Sequence, residues 1–246
     1  MNKLNEPVDL GNIEEIHAIW LGDCLPPLAH VCIDDWRKQG YKYRLWLETD
    51  SKIKYWIDSC EFAKKCYDKG LYAFVTDYLR LKILAEEGGL YLDTDVTIDR
   101  NPFPLFKPYD FCVGYESECQ VGTAIIYAKK MSTHLASLID FYENKIMDSE
   151  LYMGPDIMTY VIDQNAQNAQ NAQNAQNDNL KIFDQSFFYD YSGEKISYLP
   201  NPQRYMTHWF QHSWKRSKEL VFLKSKSKGI LGFLYEYQKE LFRLRK

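Results

Sequence analysis

The chain is predicted to fold as an α/β protein, and three observations say so. Strand, helix and strand follow one another within the first 48 residues, at the spacing that opens a βαβ unit. A later helical run, apolar nearly all round, stops at Gly88-Gly89 and hands over to a short strand, Leu90-Tyr91-Leu92, that ends in two carboxylates one residue apart. The length, 246 residues, allows one large domain of this class or two small ones, with a sizeable core in either case.

In chain order, Ile13 to Leu21 reads as a first strand that Gly22 ends. Pro26-Pro27 opens a helix toward Lys38, and Gly40 closes it. Tyr43 to Glu48 alternates, with Tyr43, Leu45 and Leu47 on one face. Ser51 to Lys69 reads as a polar-faced helix, followed by the Ala73–Glu87 helix and the carboxylate strand. Asp110 to Tyr115 and Thr123 to Ala128 read as two further strands around a turn at Glu116 to Gly122. Thr133 to Met147 carries Leu135, Leu138, Ile139 and Tyr142 on one side, the pattern of an amphipathic helix. Pro155 begins a helix running through Ile162. Residues 164–177 form a Gln-Asn-Ala triplet repeat without core-forming residues, read as a helix extension or a surface loop. Strands are expected within Ile182–Tyr191 and Lys195–Leu199. Thr207 to Trp214 is a dense polar-aromatic cluster, and Glu219 to Lys246 reads as one or two basic amphipathic helices.

Composition excludes several classes. Net charge is −4, which argues against a nucleic-acid binder. The charge is uneven, however: Lys215 to Lys246 carries +7, leaving −11 on the remainder, so the tail should be drawn to an anionic surface such as a membrane. The six cysteines form no CxxC and have no histidine at zinc spacing, which suggests free thiols in a reducing cytoplasm. The first residues lack an apolar signal core, and no run of 18 apolar residues spans a membrane. A cytoplasmic protein is expected, peripheral at the inner face of the membrane if the tail binds there. Tyr and Trp are plentiful and suit stacking on sugars, though packing in an aromatic core accounts for any single ring.

The chemistry concentrates between Ala73 and Asp95. Asp77 and Arg80, three apart on a buried helix, share a face and can touch. They are either a structural ion pair or a pair aimed at ligand hydroxyls and phosphates. Asp93 and Asp95, at the end of a buried strand, are costly unless something neutralises them. A magnesium or manganese ion takes one or two carboxylates and fills its shell with phosphate oxygens and water. That arrangement suits a departing diphosphate. The spelling Asp93-Thr94-Asp95-Val96-Thr97 also fits a haloacid-dehalogenase-type phosphatase, with Asp93 as phosphate-accepting nucleophile. Those enzymes carry the motif on a first strand and need a later acidic pair; here the motif follows a third strand and no such pair comes after it.

Taken together, the short motifs resemble the family 32 glycosyltransferases. That family includes yeast outer-chain mannosyltransferases and bacterial capsule or lipopolysaccharide sugar transferases, and the glucosyltransferase domains of large clostridial toxins share its core spelling. Ile16-His17-Ala18-Ile19-Trp20-Leu21-Gly22 is similar to the family's opening, Thr76-Asp77-Tyr78-Leu79-Arg80 to its S-D-x-x-R, and Gly88 through Asp95 to its G-G-x-Y-x-D-x-D. Met153-Gly154-Pro155 and His208-Trp209 through Ser213-Trp214 resemble its later elements, so the matches run in order over about 200 residues. Thr76 stands where the family often has Ser and keeps the hydroxyl; His212 stands where a small residue is common, which leaves the closing loop open.

The resemblance implies a GT-A fold: a Rossmann-like mixed sheet flanked by helices, residues 1–214, followed by the helical tail 215–246. It implies a nucleotide-sugar donor, with a UDP-sugar expected, and Mn2+ or Mg2+. Trp20 would stack on the nucleobase and Tyr91 would line the ribose or phosphate site. Asp77 and Arg80 would hold the donor sugar, Asp93 would share the metal, and Asp95 would ligate it directly. Ser213 and Trp214 would close over the diphosphate, with Ser213 or His208 completing the metal shell. The implied reaction is retaining transfer of a hexose to a surface polysaccharide or lipid-linked glycan. A non-catalytic sugar-binding protein of the same fold is a third reading.

Overall fold

The computed structural model describes residues 14–171, 179–191, 201–211 and 219–244. The expectations placed on residues 195–199 and on Ser213 and Trp214 lie outside the described residues.

The chain opens with β1 (Glu15–Trp20), α1 (Pro27–Lys38) and β2 (Lys42–Leu47), the expected unit, with β1 and β2 parallel. Next come α2 (Ser51–Ser59), α3 (Glu61–Tyr67), α4 (Tyr72–Glu87), β3 (Gly89–Leu92), β4 (Val96–Ile98) and α5 (Phe103–Phe106). Then follow β5 (Phe111–Ser117), β6 (Gln120–Val121), β7 (Ile125–Ala128), α6 (Thr133–Asp140) and α7 (Gly154–Asn171). The described chain ends with β8 (Leu180–Phe183), β9 (Met206–His208), α8 (Leu220–Ser225) and α9 (Gly229–Leu244).

The main sheet runs β2-β1-β3-β7-β5-β6, with β8 also paired to β5. It is mixed: β1 lies parallel to β2 and β3, β8 lies parallel to β5, and β3, β7, β5 and β6 pair antiparallel in turn. This is the mixed sheet flanked by helices, with a helical end, that was expected. Strand alternation sends side chains into two cores. Leu90 and Leu92 pack with Trp36 of α1 and Phe103 and Phe106 of α5. Tyr91 points the other way, into the larger core built by α2, α3, α4, α6 and α7. The buried residues of α4 include Phe74, Val75, Tyr78, Leu79, Leu81, Ile83 and Leu84, so it is a core helix and Arg80 is inside with them.

The glycine pair between α4 and β3 is a backbone necessity. Gly88 and Gly89 have φ of 68° and 98°, and a Cβ on Gly89 would sit 2.6 Å from the Glu15 carbonyl oxygen. The turn is that tight because β3 must enter the sheet directly beside β1.

Several elements differ from expectation. The helix read over Ser51–Lys69 breaks at Cys60, whose backbone is extended and whose Sγ donates to the Tyr142 carbonyl. The helix read over Thr133–Met147 is regular only to Asp140. It continues as a π-helical turn, Phe141–Lys145, which turns both Phe141 and Tyr142 into the core. β8 starts at Leu180 and ends at Phe183, so only the first two residues of the Ile182–Tyr191 stretch are strand, and β4 and β9 carry too little pattern in three residues each to be read at all. α7 extends through Asn171, so the first repeat triplets are helical. Three residues advance a helix by about 300°, so each copy displaces its alanine by roughly 60° and no apolar stripe accumulates. Asp163, Ala166, Gln167 and Asn168 are accordingly exposed. All six cysteines are free thiols, and no described helix is long and apolar enough to cross a membrane.

Gly89→Ala should destabilise the fold by about 2–3 kcal/mol, because the substitution meets both a forbidden φ and a backbone oxygen. Gly40→Ala, at φ 81° with open space around it, should cost less; urea denaturation of the two variants checks the difference.

Candidate functional site

The site forms where β3 ends. β1 and β3 are parallel neighbours, Ile16 opposite Leu90 and His17 opposite Tyr91, so Trp20 and Asp93 leave the sheet at the same edge. Trp20 is half-buried, and its indole N–H donates to the Asp23 carbonyl at 2.7 Å.

Arg80 holds the inner wall. Its side chain is 5% exposed, paired with Asp77 at 2.9 Å and with Asp93 at 3.4 Å. It donates to the carbonyls of Thr76 and Thr123, and its guanidinium lies 4.8 Å above the Tyr91 ring. Burial opposes its charge, but Asp93, with Tyr91 and Asp77, more than offsets this, and the group stays protonated. Arg80 is therefore mostly occupied within the protein: it fixes Asp93 and the Tyr91 ring as much as it faces outward. The Tyr91 hydroxyl donates to Asp93 Oδ1 at 2.8 Å, completing a three-way hold.

Asp77 lies beyond Arg80 against the first residue of α7, where the Gly154 N–H donates to its carboxylate. A Cβ on Gly154 would lie 2.6 Å from that carboxylate, so only glycine admits the contact. Burial raises the Asp77 pKa to about 6 despite the pull of Arg80, with Asp93 adding to the rise.

The outer wall comes from far along the chain. β4 and β9 form a two-stranded antiparallel ladder that sets Val96 opposite His208. His208 Nε2 thereby sits 3.4 Å from Asp95 Oδ1. The chain then turns through Phe210, at φ 50°, and returns the Gln211 N–H to Asp95 Oδ2 at 2.7 Å, while the Trp209 N–H bonds the Asp95 carbonyl. Burial pushes the Asp95 carboxyl up, but His208 and the Gln211 N–H outweigh it and hold the pKa below the usual value. The His208 ring packs against Phe210 at 4.2 Å and edge-on to Tyr189 at 5.6 Å.

Among the described residues, Asp93, Asp95 and His208 form one group whose ligand atoms all lie within 4.8 Å of one another. Two carboxylates and an imidazole suit a hard to borderline divalent ion, manganese more readily than magnesium because of the nitrogen. Nε2 is the His208 nitrogen that faces Asp95 and would serve as the ligand atom; the buried Nδ1 has no hydrogen-bond partner.

Asp77, Arg80, Tyr91, Asp93, Asp95 and His208 thus converge, Trp20 stands on the same edge, and Ser213 and Trp214 lie outside the described residues. The motifs do not reveal Tyr189, whose hydroxyl bonds the Ile125 N–H, or Phe210. Nor do they reveal Glu116, half-buried within electrostatic reach of His208, Asp77 and Asp93 and raised in pKa by burial. The aromatic run Phe187–Tyr191 hints at the first; nothing in the spelling marks Glu116.

Residues 26–111 match the family described as "Glycosyltransferase sugar-binding region containing DXD motif". The match runs from the start of α1 to the start of β5 and includes Asp93-Thr94-Asp95. The chain is 28% identical over 162 residues to "Subversion of eukaryotic traffic protein A" of Legionella pneumophila, covering 53% of this chain. It spans about a quarter of that protein's length (25%). Two solved structures share a looser likeness. "PaToxG Glycosyltransferase" has a TM-score of 0.46 at 20% identity, over 64% of this chain and 74% of that one. A glycosyltransferase involved in the glycosylation of the major capsid of PBCV-1 has 0.44 at 10% identity, over 83% and 96%.

Because the folded pKa of Asp77, about 6, exceeds its unfolded value of 3.8, the folded chain keeps a proton through that interval that the unfolded chain has lost. Stability from this group therefore falls as pH rises from 3.8 to about 6, by up to about 3 kcal/mol. Denaturation of wild type and Asp77→Asn at pH 4 and pH 7 checks it: the wild type should lose stability relative to the variant at the higher pH.

Proposed function

We propose that the chain is a metal-dependent, retaining glycosyltransferase that moves a hexose from a nucleotide-sugar, a UDP-sugar first among the candidates. The observation that carries this is the convergence of Asp93, Asp95 and His208 at the end of β3, two of them inside the region that matches the sugar-binding family.

A divalent ion bound by Asp93, Asp95 and His208 would supply charge neutralisation for the leaving diphosphate. The protein's own groups account for the rest. Tyr91 and Arg80 fix the Asp93 carboxylate so that it need not reorganise when the donor arrives. Asp77, backed by Arg80 and the Gly154 N–H, presents a carboxylate to sugar hydroxyls. Trp20 offers a ring to the nucleobase, and Ser213 with Trp214 would close over the diphosphate. No side chain is assigned as a nucleophile; attack from the face of the departing group accounts for retention. Residues 1–214 form the transferase unit in this reading.

The acceptor in this reading is a surface polysaccharide or a lipid-linked glycan. A protein acceptor is the second reading, favoured by the relative named for subverting eukaryotic traffic. Labelled sugar transferred into eukaryotic lysate protein, and not into glycan acceptors, would select it. The phosphatase reading is disfavoured because Asp93 is tied by Tyr91 and Arg80 rather than free to attack.

Purified protein with manganese should slowly release nucleoside diphosphate from one nucleotide-sugar of a panel. Asp95→Ala should lower that rate roughly a hundredfold or more, about 3 kcal/mol of barrier. His208→Ala should raise the metal concentration needed for half-maximal release. Phosphate release from phosphomonoesters, abolished by Asp93→Asn, would replace this reading with the phosphatase; sugar binding by calorimetry without turnover would leave a binding protein.

A further inference from the structure

Behind the outer wall, one buried tyrosine bridges the sheet and the imidazole. Tyr189 is 1% exposed, and its hydroxyl accepts the Ile125 N–H at 3.2 Å. That N–H is free to be taken because the pairing of β5 with β7 runs through Phe111 and Cys112 and goes no further. Beyond Cys112, β5 pairs with β6, and the Gly114 carbonyl takes the Gly122 N–H at 2.9 Å. The tyrosine enters the gap that this leaves. Two glycines make room for it. A Cβ on Gly122 would stand 2.6 Å from the hydroxyl-bearing end of the ring, and one on Gly114 would stand 3.3 Å from its edge. A ring seated in so narrow a slot, and pinned at its tip by a strand N–H, is held in one orientation.

That ring meets His208. The two are perpendicular, at 89° with centroids 5.6 Å apart, and Phe210 also packs on the imidazole at 4.2 Å. An imidazole that ligates a metal is ordinarily oriented by a hydrogen bond from its second nitrogen. Among the described residues, His208 Nδ1 makes none, so the ring contacts must do the orienting. Phe210 cannot do it alone, because it follows His208 by two residues on the same returning segment and moves with it. Tyr189 is anchored to the sheet instead, and at an informative place. The Thr123 carbonyl accepts from Arg80, the Ala124 carbonyl accepts the Asp93 N–H at 2.8 Å, and the Ile125 N–H donates to Tyr189. Three consecutive residues therefore hold Arg80, Asp93 and the ring that faces His208, and the inner and outer walls share one stretch of backbone.

We infer that Tyr189 is a positioning residue for the metal centre: it sets the His208 imidazole so that Nε2 is presented to the ion alongside Asp93 and Asp95. The inference rests on the reading of His208 as a metal ligand. The probe is manganese alone, with no donor present, its binding to the full chain read from the electron-spin-resonance signal of the free ion. His208→Ala should weaken binding. Tyr189→Leu should weaken it roughly tenfold, as the loss of an outer partner of a ligating histidine does. Gly122→Ala, whose Cβ displaces the ring without touching His208, should act in the same direction. The decisive measurement is the double variant. With His208 already alanine, Tyr189→Leu should cost no further affinity, because its effect passes through the imidazole. A residue that only supports the core would lower the thermal midpoint and weaken manganese binding equally in both backgrounds, and that result overturns the inference. So does wild-type binding by Tyr189→Leu. If Tyr189→Leu does not fold, Tyr189→Phe, which keeps the ring and frees its tip, takes its place in both backgrounds with an expected loss of roughly threefold. Manganese binding that His208→Ala leaves unchanged removes His208 from the metal site and this inference with it. A loss in His208→Ala that the Tyr189 variants do not share leaves the site standing and defeats the inference alone.

Discussion

Among the described residues, Arg80 is the one fully buried guanidinium or ammonium group, and the site depends on it. Two carboxylates lie beside it, Asp77 buried and Asp93 partly exposed. Without a cation inside the wall, the Asp77 carboxylate would be an unpaired buried charge. Arg80 accepts the cost of its own burial because it has partners in every direction: two carboxylates, two backbone carbonyls and a tyrosine ring. The same partners orient it. The result is a rigid backing against which Asp93 is held from behind while its front stays open to a ligand.

A second constraint closes the site from the outside. Asp95 ends the short turn between β3 and β4, which on its own would leave it solvated. The pairing of β4 with β9 brings His208 and the Gln211 N–H onto it, so one residue is gripped by segments more than a hundred positions apart. Phe210 pays in backbone strain for the sharp return, and its ring covers the His208 imidazole. The two walls differ in character. The inner one is a buried charge network fixed by the core helix, and the outer one is a ladder at the rim with an imidazole nitrogen left unpartnered.

The C-terminal helices show the same economy of charge used in another way. By turning Glu236 and Glu240 onto Lys228 and Lys224, the protein hides the acids of α9 and leaves Leu231, Leu234 and Phe242 exposed on the far side. The ordinary polarity of a surface helix is reversed by ion pairing rather than by hydrophobic burial.

Much of this was determined locally and so was legible in the sequence. The βαβ opening, the all-apolar α4, the Gly88-Gly89 turn and the carboxylates after β3 each follow from residues adjacent in the chain, where periodicity, φ requirements and i,i+3 spacing act directly. The Asp77–Arg80 contact was readable for that reason. The splitting of the helices at Cys60 and after Asp140 was not, because each break answers to a distant partner in the core. Nor was the inverted face of α9, since a helical wheel shows that two faces differ but not which one the fold turns inward. The union of Asp93 and Asp95 with His208 was suggested by motif order alone; its geometry belongs to the β4–β9 ladder. Two three-residue strands carry no periodicity of their own, so their pairing, and with it the outer wall of the site, exists only once the whole chain has folded.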